Sequence, residues 1–328
     1  MGIRVFITGA GGYLGGVLAA HLAGLPDIEG VTGIDNLLPP SPWPDKVSLI
    51  KMDVRSPEMA DVMSGHDFII HTAFIVQWSA NMPAVVRDDI NLNGTRNVAQ
   101  AAVRNRIRGF LYASSVAAYD PIQVHGKENL GEDCPLGKGD SPMYYWNSKA
   151  LAEMILSEIL APSGIALTFF RMSYVIGPCN RATVPGFREN AVLFPGHDPR
   201  AQFVHENDVA QAFAQALAHW NGAVGESFHV VSPAAVTLRG YAEATAAWFG
   251  QPAHLSLMPF EQWRTTVSEE DAERTWDHIS HSPNCSIAKA QRLLDYQPRY
   301  TSLQAVFESV DWLVKDGVVK RSEEELVG

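Results

Sequence analysis

The chain opens on a short β-branched run, residues 3–8, that stops at Gly9, the pattern of a buried strand. Apolar runs over 31–35, 47–54, 68–72, 109–115 and 165–173 predict five more strands. Between them the spacing predicts helices over 14–25, 57–63, 83–104 and 141–160, the last with Ser141-Pro142 as cap and first turn. Strand and helix therefore alternate over short connections, which implies an α/β fold: a doubly wound parallel sheet with helices on both faces. Beyond residue 175 the pattern loosens. Pro178, Pro185, Pro195 and Pro199 interrupt it, and only small helices over 207–219, 238–249 and 302–315 are expected. This divides the chain into a sheet domain over 1–175, revisited at about 203–232, and a smaller lobe over 176–328.

Thr8-Gly9-Ala10-Gly11-Gly12-Tyr13-Leu14-Gly15 joins the first strand to the first helix, with Gly9, Gly12 and Gly15 three apart. That spacing allows a tight turn, close approach of backbone to a pyrophosphate, and close packing of helix on strand. The free N–H groups of the helix start then face the phosphates. Asp35 ends the next strand, where a carboxylate accepts hydrogen bonds from both ribose hydroxyls and repels a 2′-phosphate. Such a site is of the Rossmann type and favours NAD over NADP.

Tyr145 and Lys149 stand at i and i+4 of a predicted helix, so phenol and ammonium share one face. Of the 9 tyrosines only this one has lysine at that spacing. A free phenol, with a pKa near ~10, is a poor base at neutral pH. A neighbouring ammonium and a positive nicotinamide ring are expected to lower it, so that it exchanges a proton with a substrate hydroxyl while hydride moves. Ser114 and Ser115 close the preceding strand, and either could hydrogen-bond the substrate oxygen.

Composition narrows the partners. A net charge of −11, a pI near 5.4 and the lack of any Lys/Arg block argue against nucleic acid. Cys134, Cys179 and Cys285 are scattered and form neither a metal spacing nor a disulfide framework, so no metal is expected. No run reaches the ~18–20 apolar residues of a membrane span, and 3–8 is too short for a signal peptide. The expectation is a cytoplasmic enzyme with no membrane partner. The stretch 268–281, rich in Glu, Asp and His, reads as a solvated helix, with a lid or oligomer contact as alternatives.

Taken together, the 8–15 loop, Asp35, Ser115 and the Tyr145/Lys149 pair resemble the short-chain dehydrogenase/reductase superfamily. More narrowly they resemble its extended branch, the NAD-dependent epimerase/dehydratase family typified by UDP-glucose 4-epimerase. Further matches are Asp53-Val54, His71-Thr72-Ala73, the 91–98 segment NLNGTRNV, and Phe203-Val204-His205 with Asp208-Val209-Ala210. The resemblance covers nearly the whole chain. It implies Ser115, Tyr145 and Lys149 as catalytic residues, Ser115 rather than Ser114 because it lies four residues before Tyr119. It implies cofactor contacts at Gly9, Gly12, Tyr13, Leu14, Gly15, Asp35, Asn36, Asp53, Val54, Thr72, Ala73 and Asn91 as well as Tyr145 and Lys149. Substrate contacts are expected at Phe74, Ser115, Tyr174, Asn180, Arg188 and Gln202. A homodimer built through the helices over 83–104 and 145–160 is implied as well.

The departures bear on the substrate. Ser115-Val116-Ala117 replaces the Thr-Asp-Glu group of dehydratases, which argues against loss of water. Tyr174 and Ala201 stand where nucleotide-sugar epimerases carry an asparagine and an arginine on the diphosphate, although Arg181, Arg188 or Arg200 could substitute. The first reading is an NAD-dependent dehydrogenase or reductase acting on a secondary alcohol of a sugar-like, polyhydroxylated small molecule. The second is a nucleotide-sugar epimerase that keeps its NAD. A non-catalytic NAD-binding regulator is the third, and the intact Tyr145/Lys149 pair weighs against it.

Overall fold

The computed structural model describes residues 2–39, 42–76, 82–139, 143–178, 191–280 and 282–320. Its centre is one parallel sheet of seven strands: β1 (Ile3–Thr8), β2 (Ile28–Asp35), β3 (Val47–Lys51), β4 (Phe68–His71), β5 (Gly109–Ser115), β6 (Ala166–Met172) and β7 (Ser227–Val230). Their spatial order is β7-β6-β5-β4-β1-β2-β3. The order reverses between β1 and β4, so the crevice for a ligand opens at the carboxyl ends of those two strands.

Alternate side chains leave a strand on opposite faces, and here both faces are apolar. Val5 and Ile7 of β1 enter one core with Phe68 and Ile70 of β4 and Leu111 and Ala113 of β5. Phe6, Ile69, Phe110 and Tyr112 enter the other. Continuous apolar strands of this kind belong to a sheet covered twice. On the first face lie α1 (Tyr13–Ala23), through Leu18, Ala19 and Leu22, and the helix over Glu206–Ala218. On the second lie α2 (Gly94–Asn105), through Val98, Ala99 and Ala102, and α3 (Tyr144–Leu160), through Ala152, Leu156 and Leu160. The helix α4 (Glu206–Ala218) starts at His205, whose Nδ1 accepts the N–H of Asn207 at 3.1 Å. The other face of that imidazole stacks on Tyr300, and Nε2 lies 3.2 Å from Glu308, so His205 is a structural residue.

Three sequence-based expectations change. The strand expected over 47–54 ends at Lys51, because Asp53 turns the chain by accepting the N–H of Arg55 at 2.8 Å. The helix expected over 83–104 is broken into Ala84–Asp88, a π-helical turn at Asp89–Asn93, and α2. At that turn the Asn91 amide is pulled onto the backbone of Ile75, and the Thr95 hydroxyl bonds the Asn91 carbonyl at 2.5 Å. The acidic stretch forms α5 (Glu269–Ser280), which is solvated on one side only: Ala272 and Ile279 pack against Phe194 and Phe260. Ser141, Pro142 and His281 lie outside the described residues, and α3 begins at Tyr144.

Two fully buried histidines tie the sheet to its helices. His71 is bonded by the hydroxyls of Thr8 at 2.5 Å and Thr95 at 2.9 Å, and burial pushes its pKa down to about 3. His229 bonds the Tyr119 hydroxyl at 2.7 Å and the Ser286 carbonyl at 3.0 Å, and burial pushes it down to about 4. Below pH 6.5 the unfolded chain takes protons that these two rings refuse, so stability falls as pH falls. Each contributes up to about 1.4 kcal/mol per pH unit in that window. Urea unfolding midpoints should therefore decline steadily from pH 6.5 to pH 5. A flat profile there contradicts the assignment of both rings as neutral.

Candidate active site

The turn after β1 admits only glycine at three of its positions, and at Gly11 a Cβ would lie 1.9 Å from the Leu37 carbonyl oxygen. Gly9 has a φ of +78°, and a Cβ on it would lie 2.6 Å from the Ala73 nitrogen. A Cβ on Gly15 would lie 2.1 Å from the Gly9 carbonyl oxygen. These contacts press α1 against the turn. Gly12, which precedes α1 and lines the cavity, is less crowded: the nearest atom to a Cβ there is the Gly9 carbonyl oxygen at 3.3 Å. The helix start has no side-chain cap and no acidic residue in its first turn, which leaves a cradle suited to a pyrophosphate. Asp35 lies beside it, its two oxygens accepting the N–H groups of Gly11 and Leu37 at 3.0 Å each. Both oxygens keep a further lone pair for ribose hydroxyls.

From this turn a cavity of about 460 Å³ runs to the ends of β5 and β6. Gly9, Gly12, Tyr13, Leu14, Gly15, Thr72, Phe74, Ser115, Tyr145, Lys149, Tyr174 and Gln202 all line it. The Ser115 hydroxyl hydrogen-bonds the Tyr145 phenol. Ser114 is committed elsewhere: its hydroxyl donates to Glu153 at 2.5 Å, and Glu153 forms a buried bidentate pair with Arg171 at 3.0 and 2.8 Å. The geometry thus separates the two serines. Lys149 donates to the Ala113 carbonyl at 2.8 Å and to the Tyr112 hydroxyl at 3.3 Å, and sits 3.8 Å above the Phe74 ring.

The electrostatics correct one expectation. Lys149 is turned toward Ala113, with its nitrogen 5.9 Å from the centre of the Tyr145 ring, and the phenol is not lowered by it. Burial raises Tyr145 above the ordinary tyrosine value, and the bond from Ser115 opposes that rise. Burial likewise lowers Lys149 to about 7, against the pull of Glu153.

A model of the NAD dependent epimerase/dehydratase family matches residues 5–230. The chain belongs to that family. Its members are NAD-dependent enzymes, and the glycine cradle with Asp35 fits that cofactor. An uncharacterized protein of Sinorhizobium fredii is 25% identical over 95% of this chain and 96% of its own. Another, of Mycobacterium tuberculosis, is 22% identical over 92% of this chain and 81% of its own. The fold is similar to UDP-glucuronic acid 4-epimerase of Bacillus cereus, solved with UDP-glucuronic acid and NAD (TM-score 0.74, 17% identity, 95% and 99% covered). It is also similar to a short-chain dehydrogenase/reductase superfamily protein of Agrobacterium tumefaciens with bound NAD (TM-score 0.75, 17% identity, 96% and 98% covered).

Several positions with family counterparts do work other than lining the cavity. Asn91 is buried, and its amide holds Ile75 and the Tyr144 hydroxyl. Asp53 is gripped by Arg55 at 2.9 and 2.6 Å and reached by Asn36 at 3.1 Å, contacts that hold its carboxyl well below the usual range. Val54 is buried against Gly94, and its carbonyl accepts the Asn97 amide. Ala73 packs under Gly9, while the Thr72 hydroxyl bonds the Thr8 carbonyl at 2.7 Å. Gln202 reaches the cavity wall, but its amide is used by Cys285 and Ser232. Asn180 and Arg188 lie outside the described residues.

The far wall brings in residues the sequence reading passed over. Tyr174 is 39% exposed, and its hydroxyl lies 2.8 Å from His278 Nδ1. Arg274, one turn before His278 on α5, also lines the cavity. The signal available was their i, i+4 spacing inside the acidic stretch. The two-serine geometry gives a direct test: Ser115→Ala should lower kcat by roughly 10²–10³-fold. Ser114→Ala should cost about 1 kcal/mol of stability and leave kcat within a few-fold. Equal kcat losses in the two variants contradict the separation.

Proposed function

We propose that this protein is an NAD-dependent dehydrogenase or reductase acting at a secondary alcohol of a sugar-like, polyhydroxylated small molecule. The observation that carries the reading is the meeting of the Ser115 hydroxyl, the Tyr145 phenol and the Lys149 ammonium in one cavity with the glycine turn. NAD supplies the hydride acceptor, and its reduced form the donor in the reverse direction. Tyr145 takes the proton from the substrate oxygen. Ser115 hydrogen-bonds that oxygen as charge develops. Lys149, anchored on the Ala113 carbonyl, holds ribose hydroxyls. The apolar wall of Phe74, Trp146 and Val116 limits water around the transfer.

A second reading, a nucleotide-sugar epimerase that retains its NAD, is supported by the fold likeness to UDP-sugar epimerases. Against it stand Tyr174 and Ala201 in place of the diphosphate ligands implied by the resemblance. The two readings part on whether hydride leaves with the cofactor. On the first, free sugars or sugar acids plus NAD give a growing NADH absorbance. Tightly retained NAD, turnover of nucleotide sugars and no net NADH support the second.

Either chemistry needs the phenol. Tyr145→Phe should reduce turnover by at least ~10²-fold, since it removes the proton acceptor, and a fully active variant would refute both readings. Because burial raises the phenol, kcat/KM for oxidation should climb as pH rises from 7 to 10, with reduction showing the opposite trend. Asp35→Ser should weaken NAD and relax discrimination against NADP, read as the ratio of their kcat/KM values.

A further inference from the structure

Among the described residues that wall the cavity there is no Asp or Glu, yet Lys149, Arg200, Arg274 and His278 are all there. The chain as a whole carries 36 acidic and 25 basic residues. Two guanidiniums, those of Arg200 and Arg274, therefore line a cavity with no carboxylate in its described wall, which favours anions there. Lys149 belongs to the reacting end. The other three come from the C-terminal lobe: Arg200 from a short strand at Arg200–Ala201, and Arg274 and His278 from one face of α5.

These residues line the same cavity as Ser115 and Tyr145. Tyr174 links the two ends, since its hydroxyl is 2.8 Å from His278 and its phenol lies close enough to Tyr145 for their charges to interact. Arg274 pairs with Glu270 at 2.7 Å and lies 4.0 Å from Asp271, and Arg200 pairs with Glu128. All three carboxylates are solvent-exposed, so these are weak surface pairs that leave guanidinium N–H donors for a ligand. Asp277 is buried on α5 and does not line the cavity.

We propose that the substrate is an acid: a sugar-like molecule whose own carboxylate, close to the carbon that is oxidised, docks on Arg274 and Arg200 beside the Tyr174–His278 pair. A planar guanidinium matches a carboxylate with two parallel hydrogen bonds. The inference rests on the preceding reading of the cavity as a hydride-transfer site for a molecule without a nucleotide.

The test uses the full chain saturated with NAD, as wild type and as Arg274→Gln. That side chain is 49% exposed, so its loss leaves the fold intact. The probes are D-glucuronate and D-galacturonate against D-glucose and D-galactose, with UDP as a further arm. Thermal midpoints report binding, and NADH absorbance reports turnover. At least one uronate should raise the wild-type midpoint above its neutral counterpart, and Arg274→Gln should cut the acid-to-neutral ratio of binding or kcat/KM by roughly 10–100-fold. The proposal is overturned if neither uronate is preferred, or if the preference survives Arg274→Gln. It is also overturned if UDP raises the midpoint and Arg274→Gln abolishes that effect, which assigns the cations to a diphosphate. A uronate that binds through Arg274 without forming NADH supports the acid site and refutes the dehydrogenase reading, so the two fail separately.

Discussion

Three successive turns of α3 are pinned to the end of β5, and the site depends on that register. Tyr145, Lys149 and Glu153 share one helix face at i, i+4 and i+8. Tyr145 meets the hydroxyl of Ser115, Lys149 meets the carbonyl of Ala113, and Glu153 meets the hydroxyl of Ser114. The last contact is anchored by Arg171 from the neighbouring strand, in a pair almost wholly shielded from water. Breaking a buried pair from one side costs about 3–5 kcal/mol, because the remaining charge is stranded. Glu153 and Arg171 thus fix the helix against sliding by a turn. A slide of even one residue would move the phenol off Ser115.

A second constraint fixes the other side of the cavity. Backbone lies on backbone at Gly9 and Gly15, so the start of α1 cannot retreat from the turn without losing its packing on β1. The cradle at the helix start and the hydroxyl pair at the end of β5 are therefore held by separate devices on strands of the same sheet. β4 lies between them, pinned by His71 to Thr8 on one side and Thr95 on the other. The distance between the cradle and the phenol is set by the sheet rather than by loops, which is how a site keeps its geometry while its cover varies.

How much of this was legible in the sequence follows from the range of the forces involved. The sheet strands and covering helices show as local periodicity, and the glycine turn, Asp35 and Tyr145/Lys149 show as spacing. What periodicity cannot show is where a polar side chain spends its hydrogen bonds. Asn91 lies in the segment that resembles the family's, but its amide is consumed by Ile75 sixteen residues away, and the helix opens into a π turn there. Gln202 is consumed by Cys285 in the same way. Conversely, Glu153 reads as one more helix glutamate until β5 and β6 are laid beside it. Arg274 and His278 sit in a stretch whose acidity suggests a solvated face, and only the packing of Ala272 and Ile279 turns the other face toward the cavity.

Burial works against the charged form of both members of the central pair. Burial raises the Tyr145 phenol and lowers the Lys149 ammonium to about 7, so each resists the ionised form that proton transfer demands. An acid bound at Arg274 acts on the two in opposite senses. A nearby negative charge stabilises the ammonium and opposes the phenolate, by the same Coulomb interaction. On the proposed reading the carboxylate therefore does more than seat the substrate: it favours the charged form of Lys149. A neutral sugar of the same shape brings no such charge. Selectivity for an acid would then be expressed in turnover as well as in binding, because the charge that docks the substrate also sets the protonation of the residue that assists its reaction.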